Sequence, residues 1–117
     1  MTDYVPRLGD IVWLDMHPQK GKEITKRRPF LVLTPAEYNQ KIKLLVGCPI
    51  TSKVKKYPFE ITLPENLITN GAVLCDQIKN VDWRGRNAVF IEQASKLTIH
   101  KTKLRISTLL GIKISSH

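Results

Sequence analysis

A lone carboxylate among guanidinium and ammonium groups marks the stretch Met16-His17-Pro18-Gln19-Lys20-Gly21-Lys22-Glu23-Ile24-Thr25-Lys26-Arg27-Arg28. It lies between two apolar, β-prone segments and is longer than an ordinary hairpin loop of 2–5 residues, as functional loops often are. Glu23 beside Arg28 has what acid–base work on a phosphodiester needs. The carboxylate takes a proton, and the guanidinium grips phosphate bidentately and meets the charge that develops on it. Lys20, Lys22, Lys26 and Arg27 add cations around the pair. On charge pattern alone, a solvated basic loop with incidental ion pairs accounts for the same residues.

Further basic residues follow along the chain. Lys53, Lys55 and Lys56 come just after Thr51, and Lys79, Arg84 and Arg86 lie further on. Such groups track a phosphate backbone, while base choice comes from hydrogen bonds and from stacking on unstacked bases. Trp13 and Trp83 are the candidate base stackers: Trp13, inside an apolar strand, reads more readily as core, while Trp83, between Asp82 and Arg84, fits either role. The 117 residues hold 19 Lys+Arg against 10 Asp+Glu, a formal charge of +9. That surplus attracts polyanions, with nucleic acid first and an acidic protein second. No carboxylates are spaced for metal binding, so neither a metal nor another cofactor is expected. No apolar run approaches the ~20 residues of a membrane helix, and the N-terminus lacks a signal-peptide pattern. Cys48 and Cys75 have no His or Cys partners at ligand spacing and read as buried free thiols, which places the chain in a reducing cytoplasm.

The elements that must hold these residues form one domain over residues 1–117. Strands are expected at 10–15, 29–33, 41–48, 57–63, 72–78 and 88–92. The run Pro29-Phe30-Leu31-Val32-Leu33 suits burial on both faces. Thr34-Pro35-Ala36-Glu37 reads as a capping box opening a short helical turn through Tyr38. Asn70-Gly71 is a hairpin-turn signal. Ser95 caps a C-terminal helix to about Leu110, with Gly111 as its stop. Leu97, His100, Leu104 and Thr108 share the stripe expected to pack on the sheet. Short strands with turn-rich spacing and a terminal helix make a mainly β, α+β fold: a small antiparallel barrel carrying a helix.

Taken in order, these residues resemble a family. Tyr4-Val5-Pro6, Gly9-Asp10-Ile11-Val12-Trp13, Pro18, Gly21-Lys22-Glu23, Arg28-Pro29 and Leu33-Thr34-Pro35 look like the first half of a MazF/PemK-type toxin. The likeness continues through Tyr38-Asn39, Cys48-Pro49-Ile50-Thr51-Ser52, Tyr57-Pro58-Phe59-Glu60, Asn70-Gly71-Ala72-Val73-Leu74, Asp76-Gln77-Ile78-Lys79 and Trp83-Arg84. It covers nearly the whole chain and is nearest the MazF branch, the ACA-cutting type included. The resemblance implies an SH3-like barrel of the CcdB/PemK type with a C-terminal helix. It implies a homodimer that works as a ribosome-independent endoribonuclease on single-stranded mRNA. Neutralisation by a MazE-like antitoxin with an acidic C-terminal tail, in a larger hetero-oligomer, follows from the same likeness.

Carried over by motif, the catalytic arginine is Arg28, the loop glutamate Glu23 and the hydroxyl Thr51, for which satisfying a strand-end backbone group is the alternative role. Asp76 matches an acidic position that some relatives use in catalysis, and a buried structural role at a strand end fits it equally; Gln77 beside it is placed with the RNA contacts. Lys22 stands where some relatives carry a catalytic histidine, so acid–base work shifts toward Glu23 and Arg28. Lys26-Arg27 replaces small or glycine residues common in this loop. The rival reading is a non-catalytic module on the same barrel, such as a CcdB-like gyrase poison. The joint presence of Glu23, Arg28 and Thr51 speaks against it.

Overall fold

The computed structural model describes residues 3–16 and 26–113. Among the described residues, seven strands and two helices follow one another as β1 (Asp10–Asp15), β2 (Arg27–Val32), α1 (Ala36–Ile42), β3 (Leu45–Thr51), β4 (Glu60–Thr62), β5 (Ala72–Leu74), β6 (Lys79–Val81), β7 (Val89–Gln93) and α2 (Lys96–Leu109). A single 3₁₀ turn, Cys75–Gln77, joins β5 to β6. All pairings are antiparallel, in the order β4-β5-β3-β2-β1-β7, with β6 also on β3.

Strand β3 is the pivot. One edge pairs with β2, while the other serves β6 at Leu45–Gly47 and β5 at Ile50–Thr51. A strand shared in this way turns the sheet through a corner. A bulge between Ile11 and Val12 bends the β1–β7 ladder further. The ends of the strand order then meet across a carboxylate: Glu92 on β7 accepts from the backbone N–H of Ile68 (3.1 Å) and Thr69 (2.7 Å), both in the β4–β5 connection. The barrel is closed there by a side chain and two amides.

Alternation sends successive residues to opposite faces, and both faces are covered. Ile11, Leu31, Cys48, Ile50 and Val73 join Ile106 of α2 in one apolar cluster. Val12, Leu14, Phe30, Val32, Leu45, Val81 and Trp83 form the other. This accounts for the unbroken apolar run at β2. Cys48 and Cys75 are free and buried, and burial pushes both thiols up, Cys75 to about 11. Cys75 stands in the 3₁₀ turn rather than on a strand.

Several sequence expectations shift. Pro35 occupies the N-cap of α1 without a side-chain cap, and the helix runs to Ile42 rather than ending at Tyr38. Thr34 does other work: its hydroxyl donates to Asn39 Oδ1 at 2.6 Å and accepts from Val46 N at 3.0 Å. The segment at 72–78 is a three-residue strand and a 3₁₀ turn. Asn70-Gly71 ends a longer β4–β5 connection instead of making a two-residue hairpin.

Helix α2 has the expected ends, with Ser95 Oγ accepting from Thr98 N and Gly111 at φ +70°. Its docking face is not the expected stripe. Thr98, Thr102 and Ile106 are buried, whereas Leu97 is 60% exposed and His100 lies in solvent. The threonines can be buried because their hydroxyls are satisfied locally: Thr102 Oγ1 donates to the Thr98 carbonyl at 2.8 Å. Among the described residues, no helix is long and apolar enough to cross a membrane.

Candidate nucleic-acid interface

Strands β1, β2 and β3 converge where the first apolar cluster ends, and a groove of about 610 Å³ opens there. The start of β2 supplies Lys26, Arg27, Arg28 and Pro29. The end of β3 supplies Ile50, Thr51, Ser52 and Lys53. Trp13 comes from β1, Ile91 from β7, and Ile68, Thr69 and Asn70 from the β4–β5 connection. Four cations line this space and, among the described residues, no carboxylate does.

Arg28 is paired in register with Leu14, on an exposed strand start. Beside it, Arg27 is oriented: its Nε lies 3.5 Å from Asp15 Oδ1 and its guanidinium carbon 5.7 Å from the Trp13 ring centre. Trp13 is 37% exposed. It follows Ile11 on the same face of β1, but stands where that face has passed beyond the core and become groove wall. The reading of Trp13 as core is therefore corrected.

Thr51 is half-buried at the end of β3, and its Oγ1 accepts from Lys53 N at 3.1 Å. This satisfies the strand-end amide and leaves the hydroxyl proton available to donate to a phosphate oxygen. Gly71 fixes how near the opposite wall can come. At φ +128°, an added Cβ would stand 1.9 Å from the Thr51 carbonyl oxygen, so only glycine permits this approach.

The other site residues expected from the sequence divide. Glu23, Lys20 and Lys22 lie outside the described residues. Lys55 and Lys56 are exposed beyond the groove, and their amides donate to Glu60 Oε1 at 3.0 and 2.9 Å, which shapes the basic 52–59 loop. Asp76 and Gln77 are exposed on the 3₁₀ turn and do not line the groove. Asp76 instead accepts from the Tyr57 hydroxyl at 2.5 Å, a bond that pushes the phenol up to about 12. The expectation of a buried Asp76 is thus corrected. Lys79 is exposed on β6.

Two placements are overturned. Trp83 is 7% exposed within the second cluster, and its indole N–H donates to the Asn39 carbonyl at 3.1 Å. It has no open face for a base. Arg86 turns inward, donating to the carbonyls of Asp15 (3.0 Å) and Met16, and so acts as a clasp on the end of β1. Arg84 lines a separate cleft with Lys43 and Tyr4. Pro29, Ile50, Ser52, Ile68, Thr69, Asn70 and Ile91 line the groove although sequence reasoning did not single them out as site residues. Asn70-Gly71 did carry a signal, but one read only as a turn.

Comparison with known proteins agrees with this arrangement. The family model described as PemK-like, MazF-like toxin of type II toxin-antitoxin system matches residues 7–110. The chain is 37% identical over 111 residues to the endoribonuclease toxin MazF of Escherichia coli K12, covering 95% of this chain and 99% of that protein. It is 30% identical over 106 residues to the endoribonuclease PemK of Escherichia coli, covering 87% and 80%. The fold superposes on a MazE–MazF crystal structure from Deinococcus radiodurans with a TM-score of 0.89, at 44% identity over 95% of this chain and all of that one. The strands that end in a cationic groove, the helix that closes the chain and the full-length likeness agree: this chain belongs to the PemK-like, MazF-like toxin family of type II toxin–antitoxin systems.

Proposed function

We propose that this chain, an endoribonuclease toxin by family, cleaves single-stranded mRNA in the groove between β1, β2 and β3, using the RNA's own 2′-hydroxyl as nucleophile. The observation behind this reading is the joining of Arg27, Arg28 and Lys53 with the Thr51 hydroxyl and the open Trp13 ring in one cavity. Cations bind phosphates, the ring stacks a base, and the hydroxyl donates to a non-bridging oxygen. Glu23 removes the 2′ proton. The 2′ oxygen bonds to phosphorus as the bond to the 5′ oxygen breaks, and that leaving oxygen takes up a proton. Arg28 stabilises the pentacoordinate phosphorane charge. The products carry a 2′,3′-cyclic phosphate and a 5′-hydroxyl. The chemistry requires no metal.

The working unit is the single domain of residues 1–117, acting in the cytoplasm as a homodimer. Leu97 and Leu104 of α2 are large apolar side chains left in water two helical turns apart, which suits a helix face covered by a second copy. A MazE-like antitoxin, of the kind named with the Deinococcus radiodurans toxin, lays an acidic tail along the groove and displaces RNA, within a larger hetero-oligomer. Its carboxylates take the phosphates' places beside Arg28 and Lys53. The test is end-mapping on a long transcript in EDTA. Cyclic-phosphate ends at an undiminished rate support the reading, and a strict magnesium requirement overturns it.

A further inference from the structure

Phosphate chemistry makes no use of one wall of the groove, formed by Ile68, Thr69 and Asn70 in the β4–β5 connection. This wall is held at both ends. Glu92 on β7 takes the amides of Ile68 and Thr69 on its two carboxylate oxygens. Gly71 seats the other end against the Thr51 carbonyl, with no room for a side chain. Burial of Glu92 works against its charge, but the hydrogen bonds from Thr69 and Ile68 outweigh it and hold the carboxyl below its ordinary value. A connection clamped in this way presents its side chains at fixed positions.

What it presents differs from the rest of the groove. Lys26, Arg27, Arg28 and Lys53 suit phosphates, and Trp13 and Ile91 suit the flat faces of bases. Ile68 is 76% exposed, an apolar side chain with nothing over it. Asn70 is exposed and offers a donor and an acceptor side by side, the pattern that reads the edge of an unstacked base.

We propose that Asn70 reads a nucleobase edge in the RNA bound to this groove, and that Glu92 is a positioning residue that holds the 68–70 wall where Asn70 can do so. This rests on the RNA-cleavage reading given above. Ile68 covers one face of that base, and Thr69 sets the spacing between the clamp and the reader. Sequence preference at one motif position thus comes from this wall, whereas rate comes from Arg28 and Thr51.

The experiment measures cleavage at every site of a long defined transcript and compares the preferred motif with its single-base neighbours. Asn70→Ala should reduce that preference by at least ~10-fold at one motif position and leave discrimination at the others intact. Asn70→Asp presents acceptors only. It should shift the same position toward guanine, whose Watson–Crick edge offers two adjacent donors. Glu92→Ala should flatten that position as Asn70→Ala does, and the double variant should flatten it no further. Thermal melting checks the fold, and if Glu92→Ala unfolds, the exposed Asn70 variants still decide. Unchanged site ratios in both Asn70 variants, or a uniform loss at all sites, overturn the proposal while leaving the cleavage reading in place. A wild-type protein that cleaves no RNA removes both.

Discussion

Two polar regions of the molecule, each rich in family-like residues, are built in opposite ways. Near the chain start, Asp10 is 2% exposed and fully engaged: Tyr4 donates its hydroxyl at 2.6 Å, Arg7 its amide at 3.0 Å and Gln93 its side-chain amide at 2.6 Å. Nearby, the buried Asn39 donates to the carbonyls of Pro6 (2.8 Å) and Thr34 (2.9 Å), and receives Trp83 on its own carbonyl. Every group there has a protein partner. The groove gathers four cations without a carboxylate among its described lining residues. A buried polar group must be satisfied or it costs stability, so the first region is scaffold. Like charges gathered at a surface repel each other, and only Arg27 among the four is set against a described carboxylate, Asp15, so the second region suits an anionic ligand rather than a folding role. Motif membership alone does not distinguish the two; hydrogen-bond saturation does.

The contrast can be attacked from either side. The largest expected effect is on the scaffold. Trp83→Ala empties a filled site and removes the indole donor from the Asn39 carbonyl, which keeps only the Lys43 amide, and should lower unfolding free energy by about 3–5 kcal/mol in denaturant titration. Arg28→Ala should do the reverse. Cleavage falls by at least ~10²-fold while stability moves by no more than ~0.5 kcal/mol. Thr51→Val removes one donor to phosphate and should slow cleavage by roughly 10-fold, read in single-turnover assays. A smaller effect separates binding from chemistry. Lys53→Ala should make the dependence of log kcat/KM on log salt shallower by about 0.7, one phosphate contact on a single strand.

The smallest effect concerns pH. The Glu92 carboxyl is held below its ordinary value, so its contribution is fully present above the unfolded carboxylate pKa and is lost as pH falls through the lower folded one. Acidification should therefore loosen the 68–70 wall below the usual carboxylate range, with amide exchange at Ile68 and Thr69 rising first. Exchange unchanged down to acid denaturation would show that the clamp does not hold the wall.

Much of this was legible in the chain itself. β1 runs from Asp10 to Asp15 as its apolar content requires, and the ends of α2 follow from a capping serine and a glycine stop. What escaped depends on distant partners. The two tryptophans exchange roles, because neighbours in sequence do not reveal where a sheet face stops being covered. Trp13 has apolar neighbours and lies at the groove, whereas Trp83 has charged neighbours and is buried against a carbonyl 44 residues away. The docking face of α2 was misjudged because Thr98 and Thr102 count as polar, although the Thr98 hydroxyl accepts from the Ser95 hydroxyl and the Thr102 hydroxyl donates to the Thr98 carbonyl. Of the site, Arg28 and Thr51 were legible from motif and chemistry and line one groove. The wall at 68–70 was not, because its place depends on Glu92, more than twenty residues further along the chain.

If this groove cleaves RNA through the substrate's own 2′-hydroxyl, with Arg28 stabilising the transition state, one pair of substrates decides it. Two oligonucleotides differ only by a 2′-deoxy sugar at the cleaved nucleotide, and each is incubated with wild-type protein and with Arg28→Ala. Wild type should cut the all-ribose strand rapidly, Arg28→Ala should cut it at least ~10²-fold more slowly, and neither should cut the deoxy-substituted strand. Cutting of the deoxy-substituted strand at a comparable rate, or full activity in Arg28→Ala, would refute the mechanism.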